Sequence, residues 1–481
     1  GFLVRIFSFR GFSMGLSEDR KRQFIEENRA EYGERYPLLR FADPDRLAAA
    51  TAEREQLLAE LNGLGAVCGY GGTKLDCRRL SPGCVECGAG AWSCLFISGK
   101  CNRDCFYCPT SQDEIGLPTT NTLSFRRPRD YVAYLERFGF KGMSISGGEP
   151  LLTPGRTLAF IAAARAHFGK GLHIWLYTNG TLLDREILRR LREAGLDEIR
   201  FDIGAADYAL KKVALAAEII PCVTVEIPAI PEEFELMKEK LTEMRAVGVS
   251  HLNLHQLRLT PHNFDKLIRR DYTYLHGEKV TVLESELTAL RLIRHGLEQG
   301  IDLPVNYCSF VYKNRFQKAA ARRRNAPFVK KGFEDLTESG YLRTLTLFGD
   351  TALIAAQSER FRQAGAAAEL WSFGGTKERL SVNASLLPLV EWGNFRLLVG
   401  YGEAAQMAAV SYRHPFVEVK LTPTQKLVIE KRKVCRDMEL STEAAAAFLA
   451  VLGKESPLPE DDYWEEIRRY EGLAQGPQEY F

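Results

Sequence analysis

Residues 92–112 read WSCLFISGKCNRDCFYCPTSQ, and this stretch decides the fold. Within it Cys101, Cys105 and Cys108 stand as C-x3-C-x2-C, with Tyr107 directly before the third cysteine. Cysteine sulfur is a soft ligand suited to iron–sulfur and zinc sites, so three thiolates this close together in one loop can grip a metal cluster. An ordinary cubane [4Fe-4S] cluster takes four cysteines. Three leave one iron open, and an open coordination position separates a reactive metal site from a structural one.

Outward from the loop the pattern is regular. Apolar stretches at 94–98, 141–146, 172–178, 197–204, 222–228 and 250–257 alternate with helix-compatible segments near 128–139, 155–168, 183–194, 206–217 and 231–247. Short strands alternating with helices predict parallel βαβ units. Six of them make an α/β fold of the partial (β/α)6 TIM-type barrel kind. In such barrels the loops after the strands meet at one mouth, where active sites lie. The cysteine loop follows the first strand and Gly147-Gly148-Glu149-Pro150 ends the second. Thr178-Asn179-Gly180 ends the third strand, Asp202 is late in the fourth, and His255 and Gln256 are late in the sixth.

On CNRDCFYC, GGEP and the repeated βα pattern, residues 92–260 resemble the radical S-adenosylmethionine (SAM) superfamily, and within it the activating-enzyme-like branch. The resemblance implies that Cys101, Cys105 and Cys108 bind a [4Fe-4S] cluster whose fourth iron is chelated by the amino and carboxylate groups of SAM. It further implies that Gly147, Gly148, Glu149 and Pro150 line the methionyl amino group and that Tyr107 lies near the adenine. Glycines suit that role because they let backbone approach a ligand closely. Thr178, Asn179, Asp202 and His255 are further SAM contacts on this reading. Each also has a plain one: TNG is a good turn, Asp202 can cap a helix, and a His at a strand end is satisfied structure. The implied reaction is one-electron reduction of the sulfonium to methionine and a 5′-deoxyadenosyl radical, which takes hydrogen from an unidentified protein, peptide or small-molecule substrate. A reducing partner such as a flavodoxin or ferredoxin is implied with it. No D-x-H-x2-G motif surrounds any of the 8 histidines, which gives no support for a cobalamin domain of the usual type.

Length and composition frame this core. At 481 residues the chain suggests two to three domains. With 45% hydrophobic and 26% charged residues and a formal charge of +2, it offers no electrostatic case for nucleic acid. No run reaches a membrane span. GFLVRIFSFRGF lacks a clean signal-peptide core, Met14 reads as a natural start, and the location reads as cytoplasmic. Residues 1–62 read as a helical region, 63–91 as a Cys/Gly-rich extension, 92–320 as the barrel, and 335–481 as a small α+β domain with a polar tail.

Eight of the 11 cysteines fall between Cys68 and Cys108. Clustered cysteines in a reducing compartment favour metal over disulfides. The extension has neither a helical nor a strand period and cannot build an apolar core, so something else must order it. Cys84 and Cys87, with Cys77 before and Cys94 after, can close a second iron–sulfur cluster. Zinc accepts the same ligands, and free thiols are the plain alternative. Residues 301–310, IDLPVNYCSF, look like a seventh strand. If it is parallel, Cys308 reaches the mouth as a ligand, a thiol donor or a buried strand residue. The basic run from Lys313 to Arg324 is a solvated helix face or a rim for an anion.

Two readings compete with the enzyme: an electron-transfer or cluster-carrier protein, and a zinc-stabilised nucleic-acid module. The first gives no reason for GGEP at a barrel mouth, and the second lacks basic excess.

Overall fold

The computed structural model describes residues 15–481. The stretch 1–12 and Met14 lie outside the described residues. The chain divides into two compact units, one holding the described residues up to Gln317 together with Gln475–Phe481, the other Lys318–Ala474.

In the first unit, α1 (Glu18–Tyr32) and α2 (Pro44–Gly63) start without a capping box yet are both capped. Ser17 accepts from the Arg20 amide at 3.2 Å and Asp43 from the Arg46 amide at 2.8 Å, satisfying helix N–H groups that lack a partner within the helix. There follow β1 (Lys74–Leu75), α3 (Pro82–Gly88), β2 (Trp92–Ser98), β3 (Thr119–Thr120), β4 (Leu123–Ser124), α4 (Pro128–Arg137) and β5 (Gly142–Gly147). Next come α5 (Pro154–Phe168), β6 (His173–Thr178), α6 (Arg185–Ala194), β7 (Glu198–Phe201), α7 (Lys211–Ala217), β8 (Cys222–Pro228) and α8 (Phe234–Ala246). The unit continues with β9 (His251–His255), α9 (Phe264–Leu267), β10 (Tyr274–Leu275), β11 (Thr281–Val282), α10 (Leu283–Glu298) and β12 (Val305–Cys308).

The sheet order is β1-β12-β9-β8-β7-β6-β5-β2-β3-β4, and β2, β5 to β9 and β12 all run parallel. This is the partial TIM-type barrel the sequence predicts, with the seventh strand parallel as well. The helix expected over 206–217 begins only at Lys211, because Asp202 first turns the chain into a short 3-10 segment by accepting from the Ala205 amide at 3.3 Å.

Side chains alternate across each strand. Leu95, Ile145, Leu176, Ile199, Val225 and Leu252 are buried between sheet and helices. Alternate positions face inward and are polar: Cys94, Ser144, Tyr177, Arg200, Glu226 and Asn253. Arg200 holds that interior together. It donates to Glu198 at 2.8 Å, Glu226 at 2.6 Å and Ser81 at 3.0 Å.

The Cys/Gly-rich extension is part of the barrel. β1 pairs antiparallel with β12, Lys74 opposite Cys308, which covers an otherwise open sheet edge. Helix α3, capped by Ser81, lies on the inner face: the Gly83 amide donates to Glu198 at 3.0 Å, and a Cβ at Gly83 would stand 2.3 Å from Arg200 Nη2. Edge pairing and polar anchoring supply the order that an apolar core does not.

The second unit is an antiparallel sheet of β13 (Glu334–Leu336), β14 (Leu342–Phe348), β15 (Trp371–Phe373), β16 (Arg379–Val382), β17 (Arg396–Met407), β18 (Phe416–Thr422), β19 (Gln425–Lys433) and β20 (Met438–Leu440). Leu345, Leu347, Val399, Phe361 and Phe448 build its core with the helices Thr351–Gln363 and Thr442–Leu452. Among the described residues no helix is long and apolar enough to cross a membrane.

Candidate active site

The loop after β2 is closed at its base by backbone. The Gly99 amide donates to Ile115 O at 3.0 Å and the Cys101 amide to Gln112 O at 3.1 Å. Between these rungs lie Cys101, Cys105 and Cys108, all partly exposed. Burial pushes the Cys105 thiol up to about 11 and raises that of Cys101 as well.

The GGEP segment locks onto this loop. Gly148 N donates to Ser98 O and Glu149 N to Lys100 O, both at 2.8 Å. The glycines are dictated by that approach. A Cβ on Gly147, whose φ is +132°, would stand 2.1 Å from Ser98 O, and one on Gly148 2.1 Å from Lys100 O. Gly148→Ala is therefore expected to push the cysteine loop off its seat and cost about 1–3 kcal/mol, as overpacking typically does. Urea unfolding measures it, and a variant as stable as the parent would show that the contact yields freely.

Glu149 is fully buried and its carboxylate faces the protein rather than the mouth. It accepts from Leu151 N at 2.9 Å, Thr178 Oγ1 at 2.9 Å and Asn179 N at 2.8 Å, so it ties TNG to GGEP. This differs from the expectation that the whole GGEP segment lines a ligand, since the Glu149 side chain is spent on the fold. Asn179 continues the tie. Its Nδ2 donates to Asn102 Oδ1 at 2.8 Å and reaches Cys101 Sγ at 3.8 Å.

Tyr107 and Asp202 also meet: the phenol donates to Asp202 Oδ1 at 2.8 Å, and a Cβ at Gly204 would crowd that phenol at 2.8 Å. Asn263 donates to Tyr107 O at 3.3 Å. Burial pushes the Asp202 carboxyl up to about 6, against the pull of the Tyr107 phenol and the Ala205 amide. An aspartate ordinarily titrates near ~3.9. The folded chain thus holds a proton that the unfolded chain has lost between about pH 4 and pH 6, and stability falls as pH rises through that window. Asp202→Asn keeps an oxygen for Tyr107 and removes the titration, so its stability relative to the parent should climb from pH 4 to pH 6 and then level. Parallel curves in denaturant titrations would contradict this.

His255 is not with this group. It stands opposite Cys308 in the β9–β12 register, and burial, then Lys313, lowers it to about 4 against the pull of Glu226. It belongs to the polar interior. Asn102, Asn263 and Gly204 are the site residues that sequence reasoning missed. Asn102 sits inside the quoted loop, whereas Asn263 and Gly204 carry no pattern of their own.

Of the second set of cysteines, Cys84 and Cys87 share one face of α3. Asn253 Nδ2 donates to Cys84 Sγ at 3.2 Å and Gln317 Nε2 to Cys87 Sγ at 3.0 Å. The Cys77 thiol lies 3.4 Å from Lys74 O, and Cys94 projects from β2 toward Ser144 and Glu226. Among the described residues no three His, Cys, Asp or Glu side chains are gathered around a point that could hold a single metal ion. That applies equally to the set of Cys101, Cys105 and Cys108 and to the set around α3. The basic run is mostly spent internally: Arg315 donates to Gly476 O at 2.6 Å and Arg322 to Ser339 O at 2.7 Å.

A partial parallel barrel with a three-cysteine loop locked to a Gly-Gly-Glu-Pro strand end defines a class of enzyme, and the sequence relatives point the same way. The sequence profile of the radical SAM superfamily matches residues 95–215. A Methanocaldococcus jannaschii protein, provisionally named a glycyl-radical enzyme activating enzyme, is 32% identical over 277 residues, covering 55% of this chain and 72% of its own. A GTP 3′,8-cyclase of Corynebacterium glutamicum is 33% identical over 114 residues, 23% of this chain and 30% of that protein. Among solved structures, AdoMet-bound anSMEcpe aligns with a TM-score of 0.33 at 16% identity, covering 44% of this chain and 63% of that one. The chain belongs to the radical SAM superfamily and is a radical SAM enzyme. Enzymes of this family use a [4Fe-4S] cluster and SAM.

Proposed function

We propose that Cys101, Cys105 and Cys108 hold a [4Fe-4S] cluster at which SAM is reductively cleaved, and that the resulting radical takes hydrogen from a protein, peptide or small-molecule substrate. The observation that carries this reading is the interlock of the cysteine loop with GGEP through Gly148 N to Ser98 O and Glu149 N to Lys100 O. It fixes three soft donors beside a backbone from which two Cβ atoms are excluded, and that donor set and cradle fit the cluster with its ligand. When bound, the cluster supplies the electron that splits SAM into methionine and a 5′-deoxyadenosyl radical.

The remaining roles belong to this chain. Gly147 and Gly148 bring main-chain acceptors close to where an ammonium group would sit. Glu149 fixes Thr178 and Asn179, and Asn179 positions Cys101 through Asn102. Tyr107, oriented by Asp202, presents an aromatic face next to the third cysteine. Pro150 starts the turn that carries the chain away from the mouth. The relative's name makes a glycyl residue of a partner protein one candidate substrate, and a flavodoxin or ferredoxin would serve as reductant.

The test is anaerobic reconstitution, reduction with dithionite and chromatography of the products of added SAM. Methionine and 5′-deoxyadenosine should appear together. An intact cluster that yields neither would sink the reading.

A further inference from the structure

The inside of the barrel holds a second group of thiols around a buried cation. Lys74 is 2% exposed, its ammonium lies 4.9 Å from the centre of the Tyr312 ring, and it pairs with no carboxylate among the described residues. The hydroxyl of that same Tyr312 lies 3.7 Å from Cys87 Sγ, so the ammonium and the thiol share a neighbour. Cys308 faces Lys74 directly across the β1–β12 pairing. An isolated buried ammonium is costly unless an anion balances it. Neutral thiols do not provide that anion, and thiolates on a metal do.

A second observation points the same way. The amide of Asn253 donates to Cys84 Sγ at 3.2 Å and that of Gln317 to Cys87 Sγ at 3.0 Å, while the Tyr312 hydroxyl lies 3.7 Å from Cys87 Sγ. A thiol is a weak acceptor, whereas N–H groups aimed at sulfur are a usual surrounding of metal-bound thiolates and tune their potential. Asn253 is 5% exposed, and its Oδ1 has no partner among the described residues.

We infer that Cys84, Cys87 and Cys308 ligate a second iron–sulfur cluster inside the barrel, with Lys74 as its counter-charge. The ligand set differs from a purely sequential one. Cys308 lies more than two hundred residues from Cys87 and joins it only because β12 closes the sheet beside β1. The inference does not rest on SAM cleavage at the first site.

Reconstituted wild-type chain should hold about eight iron and eight sulfide, the content of two cubanes. The full-length variant Cys101→Ala/Cys105→Ala/Cys108→Ala should keep about four of each, with an electron paramagnetic resonance signal on reduction. Cys84→Ser/Cys87→Ser in the otherwise wild-type chain should also keep about four. Lys74→Met in the triple-Ala background should leave the remaining cluster harder to reduce, since reduction adds negative charge beside the lost ammonium. A triple-Ala variant without iron, a Cys84→Ser/Cys87→Ser variant with the full wild-type iron, or zinc in place of iron in the triple variant would each overturn the assignment. An unchanged potential in the Lys74 variant would remove Lys74 from it. Loss of the first site alone leaves iron that depends on Cys84 and Cys87, so the two readings fail separately.

Discussion

Replacing Cys101, Cys105 or Cys108 singly by Ala is expected to bring 5′-deoxyadenosine formation down to the uncatalysed level while leaving the fold intact. The separation follows from how the loop is built. Its shape comes from the backbone rungs Gly99 to Ile115 and Cys101 to Gln112 and from the GGEP interlock, none of which uses a thiol. The three sulfurs are partly exposed, and among the described residues the Cys101 thiol has the Asn179 amide as its side-chain contact. Truncating such groups should change unfolding free energy by no more than about 0.5 kcal/mol, the range of substitutions away from packed or networked sites. Activity and stability should therefore come apart: product chromatography falls to background while the urea midpoint of the metal-free chains barely moves. Cys435→Ala, in the second unit, serves as the thiol control. A single Ala variant that still cleaves SAM would remove its cysteine from the proposed ligand set.

The largest effect on stability is expected from Arg200→Met. Arg200 is 3% exposed and bridges Glu198, which is fully buried, and Glu226. Burial alone would raise the Glu198 carboxyl, yet Arg200 first and His173 second hold it well below the usual carboxylate range. Removing the guanidinium strands two carboxylates in the barrel interior, which typically costs about 3–5 kcal/mol. The pH dependence gives a further check. A depressed carboxylate adds stability that is fully present above its unfolded pKa, near ~4.3 for Glu, and is lost as pH falls through the folded value. The parent should therefore lose more stability than the variant on acidification, and the gap between them should narrow below about pH 4.3. Equal midpoints at pH 7 would mean that the interior relaxes around the loss.

The barrel was legible because its signals are local. Each strand is a short apolar run and each functional loop follows one directly, so CNRDCFYC, GGEP, TNG and Asp202 could be placed at the mouth from order alone. Tyr107 with Asp202, and Thr178 and Asn179 with Glu149, then meet as the topology requires. What the chain order does not encode is direction. Glu149 stands in a ligand-like motif but turns inward to accept from its neighbours, and His255, at the same height as the others, serves the interior. The extension 63–91 was the hardest to read, because its order comes from partners far away: β12 for Lys74, and Glu198 and Arg200 for Gly83. For the same reason Cys94 and Cys77 look like natural companions of Cys84 and Cys87 in sequence, whereas the β1–β12 pairing brings Cys308 opposite Lys74 from far along the chain.

The first unit is discontinuous, resuming at Gln475 after the whole of the second. Residues 475–481 are bound into it: Arg54 donates to Gln478 O at 2.6 Å, Tyr480 to the buried Glu286 at 2.6 Å, and Gln478 Nε2 to His276 O at 2.9 Å. During synthesis, then, the barrel leaves the ribosome with Arg54 and Glu286 still waiting for part of their partners. At ~5–20 residues per second, making the intervening unit takes on the order of ten to thirty seconds. Over that interval the nascent barrel carries an unclosed polar seam, which closes once residues 475–481 have been made.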